Sequence, residues 1–272
     1  MLNRKKVGDK MYNQIFKYPR TKHLEGSRLQ KGDEDLSQVP FKDILGKYIV
    51  IEEKVDGANS AISFGNNGEL LLQSRGHYLT GGYRERHFDL LKQWASAHQS
   101  EFYEVLGNRY VMYGEWLYAK HSVYYDLLPH YFMEFDIFDK VEKVFLSTKR
   151  RMELLKDLPI VSVKVLANGK FSKESDILKY LTTSNFISEK HLDNLCEACD
   201  SLSIDKDRCL KETDNSRLME GLYIKVEDDD TVVERLKYVR YSFLQTVVES
   251  KTHWLDRPIV PNKLDKDIND LF

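Results

Sequence analysis

Cysteine is scarce in this chain of 272 residues: three thiols are too few for a disulfide framework. Charge of one sign is also lacking, since 41 lysines and arginines face 43 aspartates and glutamates. No whole-chain field therefore draws the protein onto nucleic acid, and any such contact has to come from local basic patches. No apolar run approaches the roughly 20 residues that span a bilayer. The start, Met1–Leu2–Asn3–Arg4–Lys5–Lys6, is basic but has no apolar run behind it, which excludes a signal peptide. Internal repeats and low-complexity segments are missing too. These absences point to a soluble protein of a reducing cytoplasm, without a membrane partner. The length allows one large domain, or one domain with a small appendage.

What is present is organised around Tyr48–Gly57. Its first half alternates β-branched, apolar and charged residues and predicts a strand, which ends in Lys54, Asp56 and Gly57. A lysine is a nucleophile only after losing its proton. Its ordinary pKa is about 10.4, so desolvation or nearby positive charge has to lower it. Asp56 is suited to holding a metal ion close by, and Gly57 to close approach of backbone to a ligand. Read alone, the tetrapeptide is a solvated strand end entering a turn before it is a site, since short motifs recur by chance.

Upstream, Phe16–Arg28 and Lys31–Gly32–Asp33 interleave basic, aromatic and turn residues. That texture suits phosphate or RNA contact, or an arm wrapped on the surface. His23 reads as a polar surface residue. Downstream, Ser60–Phe64 and Glu69–Ser74 alternate as strands around Gly65–Gly68, a hairpin turn. Arg75 follows directly. Residues from Arg84 to about Leu106 have helical periodicity and read as core packing. Arg109–Tyr118 and Tyr131–Asp139 read as strands. Counting by twos puts Phe135 on the same face as Met133 and Ile137, as a core residue would be. Ser147 caps a helix running to Lys156, and Ile160–Leu166 reads as one strand.

Residues 170–215 lose strand character and predict helices at Asp176–Leu181 and Glu189–Leu202. They hold His191, Cys196, Cys199 and Cys209, a set of zinc donors without a second C-x-x-C. An apolar face of Leu192, Leu195, Cys199 and Leu202 gives the ordinary alternative. Met219–Val226 and Thr231–Arg240 then form a hairpin through Asp228–Asp230. Glu220 and Lys225 point to opposite faces of an ideal strand, which places Glu220 at its edge, where Gly221 lets the backbone turn. Tyr241–Glu249 predicts a helix, and Trp254–Phe272 a polar tail.

Lys54-x-Asp56-Gly57 resembles motif I of the covalent nucleotidyltransferases, the family of DNA ligases, RNA ligases and mRNA capping enzymes. Further resemblances follow in the family's order. Arg75 stands where motif Ia supplies a basic residue. Gly114–Glu115–Trp116 is similar to motif III of RNA ligases, and Phe135–Asp136–Ile137 to motif IIIa. Glu220–Gly221 with Lys225 is similar to motif IV. Arg235-x-Lys237 occupies the place of motif V, usually Lys-x-Lys, so the register there is open, with Arg240 a further basic candidate. The likeness spans about Ile49 to Arg240 apart from the helical insertion. It is nearest to ATP-dependent RNA ligases of the RNA ligase 2 type.

The resemblance implies an α+β fold of antiparallel sheets, a nucleotidyltransferase (ligase adenylation) domain with a helical insertion. The expected organisation is an N-terminal arm over 1–45, the catalytic domain over 46–169 and 216–250, the insertion over 170–215 and a tail over 251–272. Only 32 residues follow Arg240, too few for the oligonucleotide-binding barrel of DNA ligases and capping enzymes. The implied reaction uses ATP and Mg²⁺ or Mn²⁺. Lys54 takes AMP from ATP, AMP passes to an RNA 5′-phosphate, and a 3′-hydroxyl seals the break, in RNA repair. The implied catalytic set is Lys54, Lys225 and Lys237. The nucleotide would be bound by Glu53, Lys54, Asp56, Arg75 (ribose or RNA end), Glu115 (ribose), Phe135 (purine stacking), Lys225, Arg235 and Lys237. The metal would be held by Glu220 with Asp56. The partners implied are RNA ends and a partner repair protein. The alternatives are a non-catalytic module that binds RNA ends, and a capping guanylyltransferase that uses GTP.

Overall fold

A computed structural model describes residues 14–29, 33, 37–243 and 257–272. Met1–Lys6, Lys31, Gly32, residues 244–249 of the expected last helix and residues 254–256 of the tail lie outside the described residues. Among those described, no helix is long and apolar enough to cross a membrane.

Two sheets carry the fold, and their interiors are antiparallel. The first contains β3 (Tyr48–Lys54), β10 (Val165–Lys170), β11 (Gly221–Glu227) and β12 (Val232–Val239), extended by β1 (Lys22–Leu24) and β2 (Gln38–Val39). Its order is β10-β3-β11-β12-β1-β2. β1 and β2 join in parallel, so part of the expected arm is a sheet edge. Two- and three-residue strands carry no alternation for a sequence reading to detect. The second sheet contains β4 (Ala58–Phe64), β5 (Leu70–Ser74), β6 (Tyr110–Trp116), β7 (Phe132–Asp139) and β8 (Val144–Phe145), in the order β5-β4-β6-β7-β8. β9 (Val161–Ser162) lies parallel to β7.

The single strand expected over Ile160–Leu166 is therefore two. β9 belongs to the second sheet and β10 to the first, with buried Val163 at the crossing. β10 also runs to Lys170, into the stretch read as the start of the insertion.

Alternation explains the layers. On β3 and β11, Ile49, Ile51, Leu222 and Ile224 point to one face and form a core with Leu236 and with Ile177 of α4 (Glu174–Leu178). In the second sheet, Ile62, Phe64, Met112 and Trp116 form the larger core with Leu91, Trp94 and Phe102. These last come from α1 (Asp89–Ala97) and α2 (Gln99–Leu106), which follow a 3-10 turn at Tyr83–Phe88. α3 (Thr148–Leu155) is capped by Ser147, as expected. The faces that the two sheets turn toward each other are polar over much of their area. Glu52, Lys54, Lys225 and Lys237 come from one, and Asn59 and Glu115 from the other.

The insertion holds α4, α5 (His191–Ser201) and α6 (Lys206–Lys211). α6 was not anticipated; Asp205 caps it by accepting from Arg208 N at 3.1 Å. The candidate zinc donors do not converge. Cys199 and Cys209 sit in an apolar cluster with Leu195, Tyr124 and Val260, while the His191 ring faces the Ser188 carbonyl at 3.1 Å. Burial pushes the Cys199 thiol up to about 12, away from the thiolate that zinc needs. Among the described residues no three His, Cys, Asp or Glu side chains group as a metal centre. The described part of the tail is docked rather than merely polar. Val260, Leu264 and Leu271 are buried, and Asn262 accepts from Tyr125 N at 2.9 Å and donates to Leu117 O at 2.7 Å.

Candidate active site

A cavity of about 1500 Å³ opens between the two sheets. Lys54 enters it from the last position of β3, beside Gly221 on β11. Glu220 precedes that strand by one residue, at its edge as expected. Any Cβ on residue 221 would collide with the Tyr238 carbonyl oxygen, so glycine alone permits the close pairing that aims Glu220 inward. Lys54 Nζ then donates to Glu220 Oε2 at 2.7 Å. Glu115 reaches the same space from β6, anchored by Gly57 N at 3.1 Å. A Cβ on Gly57 would lie 2.7 Å from Trp116 O, so this position too needs glycine.

The expectation of a depressed Lys54 pKa does not describe this state. Burial pulls the ammonium down, but Glu220, Glu115 and Asp56 outweigh it and hold Lys54 above the ordinary lysine value. The carboxyls feel the reverse. Burial, with Glu220 and Asp56 adding repulsion against the pull of Lys54, raises Glu115 to about 8. Burial likewise raises Glu220 to about 7, although Lys54 opposes it. The raised values mark Glu115 and Glu220 as carboxyls crowded in a buried space, and a further cation beside them would bring both back down, although no three such side chains group as a metal centre among the described residues. Asp56 Oδ2 is taken by Ser122 N and Val123 N at 2.7 and 2.9 Å, while Oδ1 lies 3.9 Å from His121 Nδ1.

Lys237 lines the cavity from β12 and is paired with Asp33. Burial lowers its pKa, against the pull of Asp33. Asp33 also accepts from His23 at 3.1 Å and Arg20 at 3.2 Å. His23 is thus no surface residue: it is fully buried, with Nδ1 2.7 Å from Ser27 Oγ.

Phe135 forms part of the wall, and the reason is a β-bulge. Tyr113 pairs with Asp136 and Gly114 with Glu134, so Phe135 is the extra residue. A bulge breaks the count by twos and re-aims a side chain. Met133 and Ile137 go to the core, and Phe135 stays half-buried against Tyr18 and Tyr223.

Three expected ligand contacts are placed elsewhere. Lys225 is fully buried in an ion network with Glu52 and Asp136, each at 3.0 Å, and does not border the cavity. It shares the inward face of β11 but lies deeper, opposite Val50. Arg235 stacks on Phe145, its guanidinium carbon 3.7 Å from the ring centroid, and likewise does not border the cavity. Glu53 borders it, but its carboxylate faces the other way. Oε1 accepts from Ser184 Oγ at 2.5 Å and Oε2 from Asn185 Nδ2 at 3.2 Å, fixing the insertion. The set brought together is thus Lys54, Asp56, Arg75, Glu115, Phe135, Glu220 and Lys237.

Against this geometry, the RNA ligase family model matches residues 47–239. The chain belongs to the RNA ligase family. Among solved structures, the Naegleria gruberi RNA ligase with PPi is similar at 16% identity and a TM-score of 0.51, covering 85% of this chain and 64% of that one. A point mutant of the same ligase with ATP and Mn gives 15%, 0.49, 76% and 53%. An archaeal ATP-dependent RNA ligase gives 16%, 0.46, 84% and 49%. The chain spans about half the length of the latter two. No curated protein matches it. The first of these likenesses extends the α+β ligase fold beyond the matched segment.

The cavity is also lined by residues that motif reading did not single out. Tyr223 lies on the inward face between Gly221 and Lys225, and counting by twos from Gly221 finds it. Tyr18, which donates to Asp136 at 2.5 Å, comes from the basic, aromatic N-terminal stretch, and His121 from the loop 119–123, which the sequence places at the mouth of the same site without singling out either side chain. Burial lowers the His121 pKa to about 4, so it is neutral near pH 7.

Proposed function

We propose that the chain is an ATP-dependent RNA ligase that forms lysyl–AMP on Lys54. AMP then passes to an RNA 5′-phosphate, which is sealed to a 3′-hydroxyl, in cytoplasmic RNA repair. One observation carries this reading: the Lys54 amine lies inside a cavity, 2.7 Å from Glu220, with Glu115, Phe135 and Lys237 in the same walls. Membership of the RNA ligase family over 47–239 supports it.

Phe135 offers a ring for the purine, and Glu115 offers a ribose hydroxyl the oxygen that Gly57 N does not hold. Lys237 faces the space where phosphate charge would sit. Lys54 has to lose a proton first, and Glu220 is hydrogen-bonded to that amine and placed to take it. The neutral amine attacks the α-phosphorus of ATP. A P–N bond forms, the P–O bond to pyrophosphate breaks, and pyrophosphate leaves with the electron pair. The RNA 5′-phosphate oxygen then displaces Lys54 from phosphorus. Finally the 3′-hydroxyl attacks the activated 5′-phosphate and AMP departs. Glu220 and the free oxygen of Asp56 are the donors that would hold Mg²⁺ or Mn²⁺, which when bound supplies positive charge against the triphosphate and the acidic cluster.

The test is incubation with α-labelled ATP and either metal. Wild type acquires a covalent label and Lys54→Ala does not. A wild type that labels as poorly as the variant sinks the reading, and label from GTP alone moves the protein to the capping class.

A further inference from the structure

The cavity is larger than its inner end requires. Small-ligand sites run to roughly 1000 Å³, and this one is about 1500 Å³. Its lining extends over the segment that follows β5, with Arg75, Tyr83, Arg84 and Arg86, and the exposure of Tyr83 puts this wall at the rim. None of these three arginines has a carboxylate partner among the described residues. The acid among them, Glu85, is committed elsewhere: it accepts from Gly81 N at 2.7 Å and pairs with Lys92 at 2.9 Å. The wall is therefore cationic in a chain whose total charge is nearly balanced.

Tyr83 is 79% exposed, an unusual position for a large ring. The Arg86 guanidinium carbon lies 4.2 Å from the centre of its ring, which leaves the opposite face open. Unpaired guanidiniums match phosphodiesters, and an open aromatic face matches a nucleobase. In an A-form duplex the bases are already stacked and paired, so a ring on a cavity rim cannot take one; in a single strand they are free.

Resting on the ligase reading above, we propose that this wall binds the single-stranded stretch of RNA next to the reacting end. One unstacked base lies on Tyr83, and the neighbouring phosphates lie against Arg75, Arg84 and Arg86. The substrate class is thus an RNA end carried on a single strand, rather than a nick in continuous duplex.

Fluorescence anisotropy tests this with two probes, a 5′-phosphorylated single-stranded oligoribonucleotide and a nicked RNA duplex. Stacking is worth about 1–3 kcal/mol per base, so Tyr83→Ala weakens single-strand binding by roughly 5- to 150-fold. Tyr83→Trp stays within about threefold of wild type, and nicked-duplex binding changes by less than about threefold in either variant. Arg84→Ala lowers the salt slope for the single strand by about 0.7. Thermal unfolding of Tyr83→Ala, expected to match wild type because the ring is exposed, checks the fold. Single-strand affinity unchanged in Tyr83→Ala overturns the proposal, as does an equal loss on the nicked duplex. Labelling of wild type by ATP is scored on the same preparation. Its failure would end the ligase reading, while the anisotropy still decides the RNA wall.

Discussion

Lys54 Nζ and Glu220 Oε2 meet at 2.7 Å across two neighbouring strands, and this contact keeps the candidate nucleophile protonated. Glu220 has opposite consequences before and during the reaction. Without nucleotide it holds the amine protonated; on the proposed mechanism it would receive the amine's proton once ATP is bound. Glu220→Gln should separate the two. Lys54 then reacts faster with an amine-directed reagent at fixed pH, because burial now lowers its pKa with less opposition. Labelling by ATP falls by on the order of 100-fold or more, through loss of the proton acceptor together with a donor for the metal. Peptide mapping of the modified lysine and the labelling rate check both directions.

Arg151 is fully buried between Glu52 at 2.5 Å and Glu134 at 3.0 Å, and it joins α3 to both sheets. Removing one partner of a buried ion group leaves uncompensated charge and costs about 3–5 kcal/mol. Arg151→Met should lose that much in urea unfolding, although its side chain borders no part of the cavity. A loss below about 1 kcal/mol would mean that water reaches Glu52 and Glu134.

How far the sequence reveals this site depends on how local each cause is. Lys54, Glu115 and Glu220 were legible because each sits at a strand position whose neighbours spell out its context. The fate of Lys225 was not legible: its motif points to the ligand, but Glu52 and Asp136, distant in sequence, surround it. Arg235 was lost in the same way to the rings of Tyr18 and Phe145. The division of residues 160–170 between two sheets was hidden because β9 is two residues long and carries no alternation that would set it apart from β10. The short strand β1 was hidden because its partner β12 comes more than two hundred residues later.

Phe135 shows where a local rule fails for a local reason. Counting by twos assigns it to the core, and one extra residue in the ladder turns it into the cavity. If its ring carries the purine, Phe135→Ala should raise the ATP concentration for half-maximal labelling by roughly 5- to 150-fold, from the 1–3 kcal/mol of stacking. Phe135→Tyr should keep most of the affinity. Equal loss in both variants would instead assign the ring to packing against Tyr18 and Tyr223.

Asp33 ties the N-terminal segment to Lys237, and its titration gives a stability profile. Burial pushes its carboxyl up, but Lys237, His23 and Arg20 outweigh it and bring the folded pKa down to about 2, from an ordinary 3.8. A depressed carboxyl contributes stability above its unfolded pKa and loses it as pH falls through the folded value. The contribution, roughly 2 kcal/mol at pH 7, should thus fade between about pH 4 and pH 2. Asp33→Asn should unfold at lower urea than wild type at pH 7, and the gap should narrow steadily below pH 4. A gap independent of pH would mean that Asp33 acts by packing and hydrogen bonding, and that its charge does not hold Lys237 in place.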